Sequence, residues 1–208
     1  MLTPRSVMTT SPIIPVVVID DAAKAVDIAH ALMEGGIHII EVTLRTEAAL
    51  KAIGAISASL PSMVVGAGTV LNPDQFDKAI DHGAQFVISP GFTPTLLHHA
   101  SHSHTPFIPG VANASAIMMA LEYGLSAFKL FPANIIGGVP VLKAYQGPFK
   151  EISFCPTGGI TIDNFQEYLS LSNVLCVGGT WIASQELVKD SDFESITLRS
   201  KEALALLR

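Results

Sequence analysis

Lys129 stands in the run Ser126-Ala127-Phe128-Lys129-Leu130-Phe131-Pro132, which otherwise reads as a buried strand. Apolar surroundings disfavour an ammonium group and leave a free amine, which is a nucleophile. Schiff-base enzymes that act on carbonyl substrates need such an amine, desolvated and aimed at a pocket. The other reading of this run is a lysine at a strand end whose charge snorkels to water. A second stretch bears on the choice. In Ile39-Ile40-Glu41-Val42-Thr43-Leu44-Arg45, period-two alternation sends Ile40, Val42 and Leu44 to one face and Glu41, Thr43 and Arg45 to the other. A carboxylate among packed aliphatic residues is costly unless it is paired or used, so Glu41 is a salt-bridge partner or an acid/base group. If both strands turn these faces inward, Lys129 and Glu41 meet, as a structural ion pair or as an amine with its proton shuttle. Arg45 lies four residues beyond Glu41, roughly 13 Å along an ideal strand at ~3.3 Å per residue. There its fork could hold a substrate carboxylate in bidentate fashion.

Other candidates are small residues at strand ends. Gly66-Ala67-Gly68-Thr69 lets a ligand approach the backbone and ends in a hydroxyl. Paired glycines follow two late apolar runs, in Cys155-Pro156-Thr157-Gly158-Gly159-Ile160-Thr161 and in Val177-Gly178-Gly179-Thr180. Bare backbone N–H groups after the last two strands of a barrel are a common phosphate site.

The elements that must position these residues alternate along the chain. Apolar runs at 13–19, 37–44, 63–67, 85–89, 106–109, 127–131, 152–155 and 174–177 are the strand candidates. Helical patterns fall between them, the clearest being Ala22, Ala25, Val26, Ala29, Leu32 and Met33, closed by Gly35-Gly36. Asn72-Pro73 opens another with a cap and a first-turn proline. A C-terminal helix is expected at about 192–207, capped by Asp192, and residues 1–12 form an N-terminal extension. Eight short, continuously apolar strands alternating with helices predict an α/β fold, a (β/α)8 TIM barrel in one compact domain. An open doubly wound sheet is the competitor. No GxGxxG opens a helix after the first strand, which weakens a dinucleotide-binding reading.

Composition narrows the partners. The chain has 208 residues, 49% hydrophobic and 14% charged, with formal net charge −6 and no basic run. This argues against nucleic acid or an anionic membrane as partner and leaves small metabolites. No apolar run approaches a membrane span, so a cytoplasmic location is expected. Cys155 and Cys176 lie in apolar runs and read as buried thiols, without a CxxC motif. His98, His99, His102 and His104 cluster, but the surrounding Ser101-His102-Ser103-His104 reads as a solvated helix end rather than a metal site.

Six ordered segments carry a resemblance: Glu41-Val42-Thr43-Leu44-Arg45-Thr46, Val65-Gly66-Ala67-Gly68-Thr69-Val70, Ile88-Ser89-Pro90-Gly91, Ile108-Pro109-Gly110, Phe128-Lys129-Leu130-Phe131-Pro132-Ala133 and Phe154-Cys155-Pro156-Thr157-Gly158-Gly159-Ile160. Together they resemble the 2-keto-3-deoxy-6-phosphogluconate (KDPG) aldolase family, from about Ile13 to the C-terminal helix. The resemblance implies a homotrimeric barrel lyase without cofactor or metal. Such an enzyme cleaves KDPG to pyruvate and glyceraldehyde 3-phosphate in the Entner–Doudoroff pathway, and often 4-hydroxy-2-oxoglutarate (KHG) to pyruvate and glyoxylate. It also implies roles: Lys129 as the Schiff-base lysine, Glu41 as general acid/base, and Arg45 and Thr69 as holders of the pyruvate carboxylate. Pro90 and Phe131 would line the pocket, and Thr157, Gly158, Gly159, Gly179 and Thr180 would form the phosphate end. Two positions depart from the family pattern: Thr180 replaces an expected serine, and Asn134 replaces an acidic residue in Phe131-Pro132-Ala133-Asn134. An aldolase for the galactonate-derived C4 epimer, or a barrel sugar-phosphate isomerase or epimerase, is the alternative reading. A metal-dependent aldolase would require converging His and carboxylate ligands at strand ends, which the sequence does not offer.

Overall fold

In the computed structural model, which describes residues 2–207, nine short strands follow in order. They are β1 (Ile13–Val17), β2 (Ile39–Thr43), β3 (Val64–Gly68), β4 (Phe86–Ile88), β5 (Phe107–Ile108), β6 (Gly110–Val111), β7 (Ala127–Leu130), β8 (Ser153–Pro156) and β9 (Val177–Gly179). All neighbours pair in parallel, in one sheet ordered β5-β4-β3-β2-β1-β9 and another ordered β6-β7-β8. The sheets are joined covalently at Pro109 and by a parallel bridge between Thr157 and Gly178. β5 and β6 are therefore one barrel strand interrupted at Pro109, which has no N–H to give to a ladder, although its carbonyl still accepts from Lys129 N. Counted this way the strands close into the expected eight-stranded barrel.

Ten α-helices surround it among the described residues, besides a short 3-10 turn at Ala22–Lys24: α1 (Pro4–Met8), α2 (Ala25–Glu34), α3 (Ala49–Ser59), α4 (Pro73–Asp81), α5 (Pro94–Ser101), α6 (Ala114–Leu121), α7 (Gly138–Tyr145), α8 (Phe165–Leu169), α9 (Gln185–Asp190) and α10 (Phe193–Ala205). Most start where the sequence supplies a cap. Asn72, Thr93, Asn113 and Asp192 each accept the N–H three residues on, and Pro73 and Pro94 occupy first-turn positions where a missing N–H costs nothing. No helix among the described residues is long and apolar enough to cross a membrane.

Two expectations shift. The extension at 1–12 contains α1, held by a reciprocal Thr3–Ser6 capping box, and Val7 and Met8 are fully buried. The last strand starts three residues later and ends two residues later than the 174–177 reading, because Val174 makes only a single bridge to Phe154 while Val177–Gly179 pairs with β1.

Register then decides what the barrel interior holds. Glu41 is the Cα partner of Val16 and of Gly66, and Gly66 of Phe86. A Cβ on Gly66 would overlap the Phe86 ring, so the glycine there makes room for the aromatic filling. On the opposite side Lys129 is the Cα partner of Gly110 and Cys155. Buried thiols were expected, and both Cys155 and Cys176 are buried and free.

Candidate active site

β2 and β7 each send one charged side chain into the barrel, and the two meet. Lys129 Nζ donates to Glu41 Oε1 at 3.0 Å, with side chains 6% and 1% exposed. A buried ion pair is poor evidence for stability, since desolvating two charges offsets much of their attraction. Its burial at the base of a pocket favours use over structure. The ammonium also stands 5.6 Å from the centroid of the Phe131 ring.

Above the pair opens a cavity of about 390 Å³ at the C-terminal ends of the strands. Lys129, Arg45, Thr69, Pro90, Phe131, Thr157, Gly158, Gly159, Gly179 and Thr180 all line it. Ten of the eleven residues singled out in the sequence thus share one cavity, and the eleventh, Glu41, lies behind Lys129 without reaching the wall. Arg45 is exposed at the mouth and has no acidic partner among the described residues. Its charge is available to an anion.

Local backbone explains several of these positions. Thr69 has φ +59, uncommon for a branched residue and the kind of outlier that clusters at functional sites. Gly158 and Gly159 have φ +97 and +79, which glycine adopts without steric cost, and their N–H groups meet no protein acceptor among the described residues. Gly178 and Gly179 also serve packing. A Cβ on Gly178 would strike Thr157 Oγ1, and one on Gly179 would fall inside the Trp181 ring.

Sequence reasoning missed Val16 and Ile160 as wall residues, named Gly178 only within the second glycine pair, and placed Thr43 on the inward face without giving it a role, although it also lines the cavity. Thr43 was recoverable, being two residues beyond Glu41 on the same face. The histidines sit elsewhere. His98 and His102 pack with tilted rings, centroids 4.5 Å apart and planes inclined at 54°, His102 Nδ1 faces the His98 carbonyl at 2.8 Å, and His99 pairs with Asp77 at 2.7 Å.

A family model described as KDPG and KHG aldolase matches residues 5–198. The chain belongs to the KDPG and KHG aldolase family. Among members of this family, it is 47% identical over 200 residues to the KHG/KDPG aldolase of Escherichia coli strain K12, covering 96% of this chain and 94% of that one. A KDPG aldolase from Legionella pneumophila, solved with pyruvate captured as a covalent carbinolamine, superposes with a TM-score of 0.96 at 46% identity, covering 97% of this chain and 98% of that one. The Zymomonas mobilis ZM4 KDPG aldolase with 3-phosphoglycerate gives a TM-score of 0.90, also at 46% identity, over 96% and 94% of the two chains.

Proposed function

We infer that this chain is a Schiff-base aldolase that cleaves KDPG to pyruvate and glyceraldehyde 3-phosphate and also accepts KHG. The observation that carries the reading is the buried Lys129–Glu41 pair at the base of a cavity lined by glycines, threonines, a few apolar side chains and Arg45. In this reading Glu41 takes a proton from Lys129, and the free amine attacks the C2 ketone. The resulting carbinolamine takes that proton back from Glu41 on its hydroxyl and loses it as water, leaving a protonated imine that withdraws electrons from the C3–C4 bond. As that bond breaks, Glu41 accepts the C4 hydroxyl proton, directly or through water, and glyceraldehyde 3-phosphate leaves. The enamine is then protonated at C3, with Glu41 again the nearest acid, and hydrolysis frees pyruvate and Lys129.

Arg45 and Thr69 hold the carboxylate in this reading, and Pro90 and Phe131 shape the pocket around C1 to C3. The phosphate lies at the other end, against the free N–H groups of Gly158 and Gly159 and the Thr180 hydroxyl. The chain acts as a cytoplasmic homotrimer. The exposed Met118 and Met119 on α6, 61% and 42% accessible, support burial against another copy, which sedimentation analysis would test.

The test of function is pyruvate release from KDPG and from KHG under steady state. Release from neither substrate overturns the reading. Release from KHG alone removes the phosphate assignment while keeping the Schiff-base chemistry.

A further inference from the structure

The Gly158–Gly159 turn is held from behind by two asparagines, one through its backbone and one through its side-chain amide, and the latter is out of its usual place. Asn164 stands at the N-cap of α8, where an asparagine normally accepts a helix N–H. Here it makes no such bond. Its amide turns back to the loop instead: Oδ1 accepts the Thr161 N–H at 2.9 Å, and Nδ2 donates to the Gly159 carbonyl at 2.9 Å. The amide orientation is fixed by the partners, a donor facing one end and a carbonyl the other.

The second support is Asn134. Its backbone N–H donates to the Gly158 carbonyl at 3.0 Å, and its Cβ occupies the space that a Cβ on Gly159 would need. Both carbonyls of the turn are therefore engaged on protein donors. That leaves the unpartnered N–H groups of Gly158 and Gly159 to the cavity these residues line.

We propose that Asn164 is the positioning residue of this turn and, through it, sets the preference for phosphorylated over unphosphorylated aldols. The side chain is not on the cavity wall and touches no reacting atom. It acts by fixing which way two peptide groups point. This inference rests on the phosphate assignment made under the proposed function.

The experiment uses Asn164→Ala and Asn164→Asp. The aspartate variant keeps the shape and the acceptor for Thr161 but replaces the donor to Gly159 with a negative charge, so its loss of phosphate affinity should exceed that of the alanine variant. In the alanine variant the KM for KDPG should rise about tenfold, the order of one lost hydrogen bond, with kcat near wild type and both constants for KHG unchanged. Inorganic phosphate, titrated calorimetrically, should bind more weakly by a similar factor. An unchanged KDPG to KHG ratio, or equal losses on both substrates, overturns the proposal. Were wild type to cleave neither substrate, the functional reading would fall, and the phosphate titration alone would still decide whether Asn164 positions an anion-binding turn.

Discussion

Gly68 faces the Glu41 carboxylate so closely that a Cβ added to it would overlap Glu41 Oε1. The glycine is thus required by the Glu41 carboxylate rather than by backbone conformation, since Gly68 is an ordinary β3 residue without positive φ. Gly68→Ala should fold and yet displace the carboxylate from Lys129, lowering kcat by about a hundredfold, the scale of a 1 Å misplacement. Glu41→Gln, which keeps the shape and removes the base, should lower kcat by roughly 10²–10⁴-fold while leaving imine formation with pyruvate detectable by mass. Near-wild-type turnover in Glu41→Gln would take Glu41 out of the proton path, and in Gly68→Ala it would show that the carboxylate is not displaced.

Lys129 should be the site of covalent capture. Incubation with pyruvate and borohydride should reduce the imine, add a stable pyruvyl group to that lysine and inactivate the enzyme. Peptide mass mapping decides the point. Label on Lys143 or Lys150, with Lys129 untouched, would disprove the assignment of the nucleophile.

How much of this was legible in the sequence depended on which force set each feature. The inward faces of β2 and β7 followed from alternation alone, because a one-residue slip would have exchanged Glu41 and Lys129 for aliphatic neighbours. α1 was not legible. It is five residues long, with only Val7 and Met8 buried, and rests on a local Thr3–Ser6 box rather than on periodicity. The break at Pro109 was hidden because the barrel strand continues on both sides of it. Asn164 escaped notice because its ordinary meaning before Phe165 is a helix cap, and only the coordinates reveal that its amide faces the other way. The double role of Gly178 and Gly179 was likewise invisible, since Thr157 and Trp181 come to them through tertiary packing.

Cys176 should be inert to alkylation in the folded enzyme. Burial raises its thiol well above the ordinary value, and the Cys155 thiol and the Glu41 charge push the same way. A raised value means that the protonated form persists, whereas only the thiolate reacts. Iodoacetamide at about pH 8.5, the ordinary thiol range, should leave Cys176 unmodified in native protein and label it after denaturation. The linkage has a definite sign. The contribution to stability is full below the unfolded thiol value and declines as pH rises above it, so the alkaline fall in melting temperature should be shallower in Cys176→Ala. Rapid native labelling would show the barrel floor to be open to solvent.

Thr180 tests the phosphate end without disturbing the reacting centre. It is exposed at the rim just after β9 and lines the same cavity as Gly158 and Gly159, on the far side from Arg45 in the proposed orientation. Thr180→Val keeps the branched shape and deletes one hydroxyl. Its loss should weaken kcat/KM for KDPG by the ~1.5–3 kcal/mol typical of a hydrogen bond to a charged group. KHG carries no phosphate and leaves this end of the cavity empty, so its kcat/KM should barely change. The contrast with Glu41→Gln is the useful part, because that variant should depress both substrates together. If Thr180→Val also depresses both equally, the hydroxyl serves the fold or the chemistry, and the phosphate does not sit between Thr180 and the Gly158–Gly159 turn.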